Sequence, residues 1–159
     1  MADYIKYIRG MVGHKPILSG AGSVIVENEK GEILLGRRTD NHLWGYSGGG
    51  MDLGESVEEC ARRELYEEMG LEADELTLFM VNSGPESHMI YPNGDETYYL
   101  EIIYVCRSYR GEPRRQPEEL EEIRFFRPEE LRPEMISPPI RPVFREYMKA
   151  RGIQNDAWK

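Results

Sequence analysis

The chain has 159 residues, enough for one domain with a substantial core, and its net charge of −9 argues against sequence-independent binding to nucleic-acid polymers. A small anionic ligand is not excluded, since a divalent cation and a few local arginines can bring one in. No apolar run suits a signal peptide or a membrane span, and Cys60 and Cys106 lack a C-x-x-C spacing, so we expect a cytoplasmic protein with reduced cysteines and no membrane partner.

The N-terminal part of the chain is predicted to begin with a short helix over residues 3–11, where apolar residues recur at helical spacing. Strands are predicted at 23–26 and 32–35, on either side of a turn-rich connector, and we interpret them as a hairpin. A polar loop then leads to Trp44, which we expect in the core, and to three glycines at 48–50. Such glycines allow the backbone to approach a ligand closely.

The next element is a helix predicted over residues 57–69. Ser56 is a favourable N-cap, Glu59 completes the S-x-x-E capping box, and Gly70 supplies the left-handed stop. Both boundaries therefore follow from local chemistry.

Three carboxylates crowd the end of this helix. Glu64, Glu67 and Glu68 lie near the negative end of the helix dipole, and no Lys or Arg follows them at a spacing that would pair with them. At about 100° per residue they fall within an arc of about 100° that adjoins the apolar stripe. A solvated charge run would instead lie opposite that stripe with compensating bases. A hard divalent cation resolves the repulsion, because carboxylate oxygens suit Mg²⁺.

The second half of the chain is predicted to be rich in strands and to end in an amphipathic helix. A proline stands at the start of each predicted helix, and a Pro-Asn-Gly sequence marks a turn. The last eight residues are expected to be frayed. The predicted elements are strands at 76–81, 98–106 and 123–126, a turn at 91–95, a short helix at 128–131 and a helix at 138–151.

The segment from Gly49 to Leu71 resembles the Nudix box, whose pattern is Gly, five residues, Glu, seven residues, Arg-Glu-apolar-x-Glu-Glu-x-Gly-apolar. The resemblance covers residues 18 to about 131 and is looser outside the box. It implies a MutT-like Nudix fold of the α/β class, with a mixed β-sheet sandwiched between α-helices. The fixed positions are filled by Gly49, Glu55, Arg63, Glu64, Leu65, Glu67, Glu68, Gly70 and Leu71.

The resemblance also assigns roles within the box. It implies that Glu64, Glu67 and Glu68 bind one or more Mg²⁺ ions, with Mn²⁺ as the alternative. The candidate catalytic residues of the helix are therefore Glu64, Glu67 and Arg63. Arg63 would position the others by pairing with Glu55 or with a ligand carboxylate; the alternative is a plain surface ion pair.

Further candidates lie outside the helix. Gly49 and Gly50 are expected to shape the loop beside the substrate. The family often has an additional acid that acts as a metal ligand or general base, and Glu119 or Glu122 is the first match, with Glu118 as an alternative. Glutamates in such a cluster are more often solvated.

Two arginines and one departure from the family pattern complete the site prediction. Arg37 or Arg38, but not both, is expected to bind substrate phosphates, because a guanidinium fork fits phosphate oxygens. The family usually has a proline before the double glycine, where this chain has Ser47. We expect a less rigid entry to the box and no loss of a ligand.

The activity implied by the resemblance is metal-dependent hydrolysis of the diphosphate linkage in a nucleoside diphosphate joined to another group. Nucleoside triphosphates are slightly favoured; the alternatives are an ADP-ribose or dinucleoside polyphosphate hydrolase, and a Nudix module that senses a nucleotide without turnover. The expected partner is a small nucleotide, and the sequence carries no signal for a homodimer. We divide the chain into a lead-in helix (1–16), a single Nudix domain (17–151) and a C-terminal tail (152–159).

Overall fold

The computed structural model describes residues 2–159, which form a mixed α/β fold with strands in two sheets. In chain order, the helices and strands are α1 (Asp3–Val12), β1 (Ile17–Val26), β2 (Ile33–Arg38), β3 (Trp44–Gly45), β4 (Ser47–Gly50), α2 (Val57–Met69), β5 (Glu72–Asn82), β6 (His88–Ile90), β7 (Glu96–Arg110), β8 (Leu120–Phe126) and α3 (Arg141–Ala150). Short 3₁₀ helices lie at Pro128–Glu130, Pro133–Met135, Pro138–Ile140 and Asp156–Trp158.

The larger sheet has the strand order β4-β1-β7-β5, with β6 paired to β7, and the smaller sheet has the order β3-β2-β8. Strands β1 and β7 run parallel, whereas the other pairs are antiparallel. The larger sheet is therefore mixed, as predicted.

The centre of the larger sheet is buried on both faces, because alternate residues of β1 point to opposite helices. Val24 and Val26 pack in one hydrophobic cluster with Leu65 of α2, whereas Ile25 packs in a second cluster with Phe144 of α3. The sheet thus lies between helices, which confirms the predicted fold class. None of the helices between residues 2 and 159 is both long and apolar enough to span a membrane.

The predicted hairpin of residues 23–26 and 32–35 is wrong. Strand β1 pairs with β4 and β7, while β2 pairs with β3 and β8, and only an isolated bridge joins Glu27 to Ile33. The turn itself is as expected, with Gly31 at φ +76. The two strands separate into different sheets because each finds partners far along the chain, and a local apolar pattern does not encode that choice.

The helix predicted at 3–11 is present as α1 and packs against the domain. The Tyr4 N–H donates to Asp52 Oδ1 at 3.0 Å, and Arg9 Nη2 donates to the Glu96 carbonyl at 2.6 Å. Strand β6, three residues long, was not predicted because it is too short to show a pattern.

The C-terminal residues 152–159 are anchored to the core by Trp158, so the prediction of a frayed end is wrong. Trp158 is 6 % exposed, stacks on Phe144 with ring centroids 5.7 Å apart, and donates its indole N–H to the Leu131 carbonyl at 3.1 Å. Asn155 Nδ2 donates to the same carbonyl at 2.8 Å. The boundaries between lead-in helix, domain and tail stay predictions.

Candidate active site

Helix α2 has the boundaries that its capping residues predict. The Ser56 hydroxyl accepts from the Glu59 N–H at 3.1 Å, and the Ser56 N–H donates to Glu59 Oε2 at 2.8 Å, which completes the capping box. Gly70 ends the helix in the left-handed region, with φ 72. These local contacts set the bounds of α2, and burial of Ala61 and Leu65 against the sheet sets the rotation at which the helix presents its carboxylates.

Glu64 and Glu68 form a buried pair of carboxyl groups on α2, with 8 % and 7 % of each residue exposed. Glu68 Oε1 accepts the Gly48 N–H at 3.0 Å, and Glu64 Oε1 accepts from Arg63 Nη1 at 2.9 Å. The two carboxyl groups lie close enough that the charge of Glu64 raises the pKa of Glu68. Since two carboxylates repel at that separation, the pair requires a proton or a cation between its members.

The electrostatics of the pair agree with this requirement. Burial raises the pKa of Glu68 well above its usual range, and the charges of Glu64 and Glu119 raise it further. Burial also raises the pKa of Glu64, against the lowering effect of Arg63. The positive charge near Glu64 and Glu68 is therefore too small to balance two buried carboxylates.

Glu67 lies apart from this pair. Its side chain is 54 % exposed, and its Oε2 lies 3.3 Å from Arg63 Nη1. On an α-helix Glu64 and Glu68 are about 40° apart, whereas Glu67 is about 60° from Glu64 and about 100° from Glu68. The cavity lining includes the first two and not the third. Between residues 2 and 159 no group of three or more His, Cys, Asp or Glu side chains is arranged to hold a metal ion. A ligand role for Glu67 stays a prediction.

Arg63 connects the helix to the loop that precedes it. Its Nε and Nη2 donate to the two Glu55 oxygens at 2.6 and 3.0 Å, and Nη2 also donates to the Gly50 carbonyl at 3.1 Å. These contacts hold the pKa of Glu55 below its usual range. The pairing with Glu55 is the one expected of a positioning residue, although the contact with Glu67 expected of a surface ion pair is also present.

The glycines of β4 bring the backbone against the carboxyl pair. A Cβ added at Gly49 would lie 2.4 Å from the Glu64 carboxyl carbon, and one at Gly50 would lie 3.1 Å from Ile5 of α1. Residue 49 must therefore lack a side chain for Glu64 to occupy its position.

The segment before the glycines is held without a proline. Ser47 is fully buried and pairs with Val24 in the β1–β4 ladder, and its hydroxyl lies 3.5 Å from Glu68 Oε1. Trp44 is in the core, as expected, with its ring edge-on to Phe126 at 4.7 Å. Strand pairing thus takes over the positioning that the usual proline would supply.

Glu64 and Glu68 line a cavity of about 450 Å³. This volume lies in the range of small-molecule sites, about 300–1,000 Å³. One wall comes from β1 and β7, whose parallel register places small β1 residues beside polar β7 residues. The lining residues of these two strands are Ser19, Ala21, Ser23, Thr97, Tyr99 and Glu101.

Of the two candidate arginines, Arg38 lines the cavity and Arg37 does not. Arg38 donates from Nε and Nη2 to Asp40 at 2.8 and 2.6 Å, and its guanidinium lies 5.9 Å from the Tyr91 ring centre. Arg37 Nε instead lies 2.9 Å from Glu121 Oε2. Neighbouring residues of a strand point to opposite faces, so only one of the two can reach the cavity.

The acidic cluster at the start of β8 divides in the same way. Glu118 and Glu119 line the cavity, and the charge of Glu119 contributes to the raised pKa of Glu68. Glu122 lies 3.5 Å from Arg37 Nη2 and is absent from the lining. The structure thus brings Glu119 to the carboxyl pair and leaves Glu122 outside; the roles of both stay predictions.

The family follows from a profile of the NUDIX domain, which matches residues 18–147. The chain belongs to the Nudix family. RNA pyrophosphohydrolases from Tolumonas auensis and from Shewanella sp. strain ANA-3 are 42 % and 44 % identical to it, each over 55 residues that make up 35 % of this chain and 32 % of the relative. The aligned part thus spans about a third of the length of these curated relatives.

Solved structures agree with the Nudix fold over most of the chain. The MutT NUDIX hydrolase from Burkholderia pseudomallei superposes with a TM-score of 0.69 at 25 % identity, over 82 % of this chain and 98 % of that one. The MutT protein from Methanosarcina mazei Go1 has a TM-score of 0.70 at 20 % identity, over 86 % and 97 % of the two chains. The second likeness concerns the fold alone.

Residues outside the Nudix box also line the cavity, and the sequence reading missed them. Helix α1 was expected only to pack on the domain, but its N-terminal cap and its inner face reach the cavity. The lining residues there are Ala2, Ile5 and Arg9. Glu101 and Ser137 line it as well. Glu101 carried a signal, since it is a lone charge in an apolar strand; Ser137 and α1 carried none, because their approach to the site is tertiary.

Proposed function

We propose that the chain is a divalent-metal-dependent pyrophosphohydrolase that cleaves the diphosphate linkage of a nucleoside diphosphate joined to another group. Nucleoside triphosphates are slightly favoured over ADP-ribose and dinucleoside polyphosphates. The observation that carries the proposal is the buried Glu64–Glu68 pair, which lines a nucleotide-sized cavity and lacks a sufficient counter-charge.

The donor set fits a hard cation. Two buried carboxyl groups repel each other beside Gly49, where even a Cβ would collide with Glu64. Mg²⁺ is usually bound by one or two carboxylates together with waters and substrate phosphates, so Glu64 and Glu68 suffice as protein ligands, with Mn²⁺ as the alternative ion. The ion would neutralise phosphate oxygens and lower the pKa of a bound water.

The chain's own residues supply the remaining functions. Arg38 would bind phosphate oxygens in place of Asp40, because its guanidinium fork already faces the cavity. Glu119, which lines the cavity near Glu68, would accept a proton at its carboxylate from the water that attacks phosphorus. Arg63 would hold Glu64 and Glu67 in position through its contacts with Glu55.

Hydrolysis of a substrate panel tests the proposal. The panel holds nucleoside triphosphates, ADP-ribose, a dinucleoside tetraphosphate and, because of the curated relatives' name, an RNA with a 5′-triphosphate, each with Mg²⁺ or Mn²⁺. We expect turnover of at least one small nucleotide, with loss of activity in Glu64→Gln. Glu58→Gln is the matched control, since Glu58 lies on the same helix, half exposed, paired with Arg62.

Two results would count against the enzyme. Binding of a nucleotide without turnover would support the sensing module instead. Equal turnover by the wild type and Glu64→Gln would show that Glu64 is not part of the catalytic site. Glu67→Gln in the same assay measures whether the more exposed third carboxylate contributes. If only the RNA with a 5′-triphosphate is hydrolysed, the substrate is an RNA polymer and not the small nucleotide proposed.

Arg38→Ala is expected to lower kcat/KM about 10- to 100-fold, because a hydrogen bond to a charged phosphate contributes about 1.5–3 kcal/mol. Arg37→Ala is the control one residue away, whose ion pairs with the β8 glutamates lie outside the cavity. We expect it to stay within about threefold of wild type, since exposed ion pairs contribute little. Steady-state kinetics on both variants decides between the two arginines, and an equal loss in both would contradict the assignment.

Gly49→Ala is expected to lower kcat/KM about 100-fold with little loss of stability. The added Cβ meets the end of the flexible Glu64 side chain, so the carboxylate moves while the backbone keeps its place. Misplacement of a reacting group by about 1 Å can cost about 100-fold. Gly10→Ala in α1, where a Cβ meets nothing within 4 Å, is the control for kinetics and for thermal unfolding. Full activity of Gly49→Ala would show that Glu64 need not lie against β4.

We also propose a reducing compartment such as the cytoplasm. Cys60 and Cys106 are free and buried, which supports the reduced state expected from their spacing.

A further inference from the structure

A further buried carboxyl group, that of Glu101, lines the cavity and has no part in the proposed hydrolysis. Glu101 on β7 is 7 % exposed, and its partners among residues 2–159 are three neutral donors. Ser23 Oγ and Tyr46 Oη donate to Oε2 at 2.6 and 3.0 Å, and Asn82 Nδ2 donates to Oε1 at 3.2 Å. Burial raises the pKa of this group.

The three donors leave Glu101 with unused acceptor capacity. A carboxylate oxygen accepts about two hydrogen bonds, so Oε2 is saturated, whereas Oε1 has one protein donor and one lone-pair direction left. Burying a carboxyl group without a counter-charge is costly, so its place on a cavity wall needs an explanation. An acceptor kept at this position on a cavity wall suggests a ligand that donates an N–H or O–H.

A second polar group at the same end of the cavity has no partner at all. Ser137 is 5 % exposed, and within residues 2–159 its Oγ finds no hydrogen-bond partner. Asn82 connects the two groups, because its Nδ2 donates both to Glu101 and to the Pro139 carbonyl, at 3.2 and 2.9 Å. Pro139 and Ile140 add apolar surface to the lining. A buried hydroxyl without a partner costs free energy unless a ligand satisfies it.

We propose that Glu101 and Ser137 form a nucleobase subsite, in which Glu101 accepts an N–H from an exocyclic amino group and the Ser137 hydroxyl bonds a neighbouring atom on the same base edge. The subsite rests on the proposed function in that the ligand is a nucleotide. Phosphates do not fit beside Glu101, since they carry only acceptors and negative charge. They would lie instead at Arg38 and at the cation that Glu64 and Glu68 would hold. The base then occupies the end of the cavity bounded by Pro139 and Ile140.

Titration of nucleoside monophosphates without metal tests the subsite separately from catalysis. The ligands are AMP against IMP and CMP against UMP, which differ at the amino group, together with GMP and ribose 5-phosphate, which has no base. For the wild type we expect at least one amino-bearing monophosphate to bind about tenfold more tightly than its oxo counterpart and than ribose 5-phosphate. If none does, the subsite is absent, whatever the hydrolysis panel shows.

Two variants complete the test. Ser137→Ala removes no protein contact, so we expect an unchanged or raised Tm together with about threefold to tenfold weaker binding of the preferred monophosphate. Glu101→Gln is expected to abolish the preference for the amino group while ribose 5-phosphate binds as before. Ser108→Ala, which removes a hydroxyl outside the cavity, is the control. Unchanged monophosphate affinities in both variants, or an equal loss for ribose 5-phosphate, would overturn the proposal, and the latter would point to the sugar hydroxyls.

Discussion

Glu68→Gln is expected to lower kcat/KM by about 1,000-fold or more, because a carboxylate that holds the catalytic ion supports several kcal/mol of transition-state stabilisation. The same substitution is expected to stabilise the metal-free protein. Glu68 is buried and repelled by Glu64, and the neutral amide retains the bond from the Gly48 N–H without the repulsion. Activity and stability therefore change in opposite directions.

The pH dependence of this stabilisation has a definite sign. The pKa of Glu68 is raised in the folded chain above its ordinary value of 4.5, so the folded state favours the protonated acid. The stability that the group contributes is fully present below pH 4.5 and is lost as the pH rises through the raised pKa. In EDTA, thermal unfolding should show Tm of the wild type falling over this range.

The glutamine variant should not show that part of the fall. At pH 8 we expect its Tm to exceed that of the wild type by about 3 °C or more, since each kcal/mol shifts Tm by about 2–4 °C in a chain of this size. Glu58→Gln controls for the loss of one charge on the same helix. A Tm of Glu68→Gln at or below that of the wild type in EDTA would contradict the buried repulsion.

Trp158→Ala is expected to lower the free energy of unfolding by about 3–5 kcal/mol, the usual cost of removing a buried indole. The side chain is 6 % exposed, stacks on Phe144 and donates to the Leu131 carbonyl, so the variant loses this packing and one hydrogen bond. Urea denaturation measures the change.

Trp158→Phe separates the two contributions. Phenylalanine keeps an aromatic ring next to Phe144 but is smaller and lacks the indole N–H, so we expect a cost of about 1–2 kcal/mol from the lost hydrogen bond and the lost packing. Lys159→Ala, at the exposed final residue, controls for changes at the terminus. A cost below about 1 kcal/mol for Trp158→Ala would show that the C-terminal residues are frayed in solution.

The sequence predicted the parts of the site that local chemistry determines. Ser56, Glu59 and Gly70 act within a few residues of each other, so the bounds of α2 follow from the sequence alone. The apolar stripe of α2 was also readable, and the four-residue spacing of Glu64 and Glu68 brings these two side chains together. The same helical geometry places Glu67 about 60° from Glu64 and about 100° from Glu68.

Features that depend on distant contacts were not predictable in this way. The partners of β1 come from residues 47–50 and 96–110, so the flanking segments looked like a hairpin. Trp158 appeared to belong to a polar tail because its contacts with Phe144 and Leu131 are tertiary. Which of Arg37 and Arg38 reaches the cavity depends on the face of β2 that each side chain occupies. The pairing of β2 with β8, which is a distant contact, determines those faces.

Binding of Mn²⁺, followed through the electron paramagnetic resonance signal of the free ion, tests the role of the Glu64–Glu68 pair most directly. We expect the wild type and Glu58→Gln to bind Mn²⁺ alike, with displacement by Mg²⁺ and with affinity that rises with pH as the pair loses its proton. Glu68→Gln should bind at least about tenfold more weakly. Equal Mn²⁺ affinity in Glu68→Gln and the wild type would contradict the metal site, and with it the proposed hydrolysis.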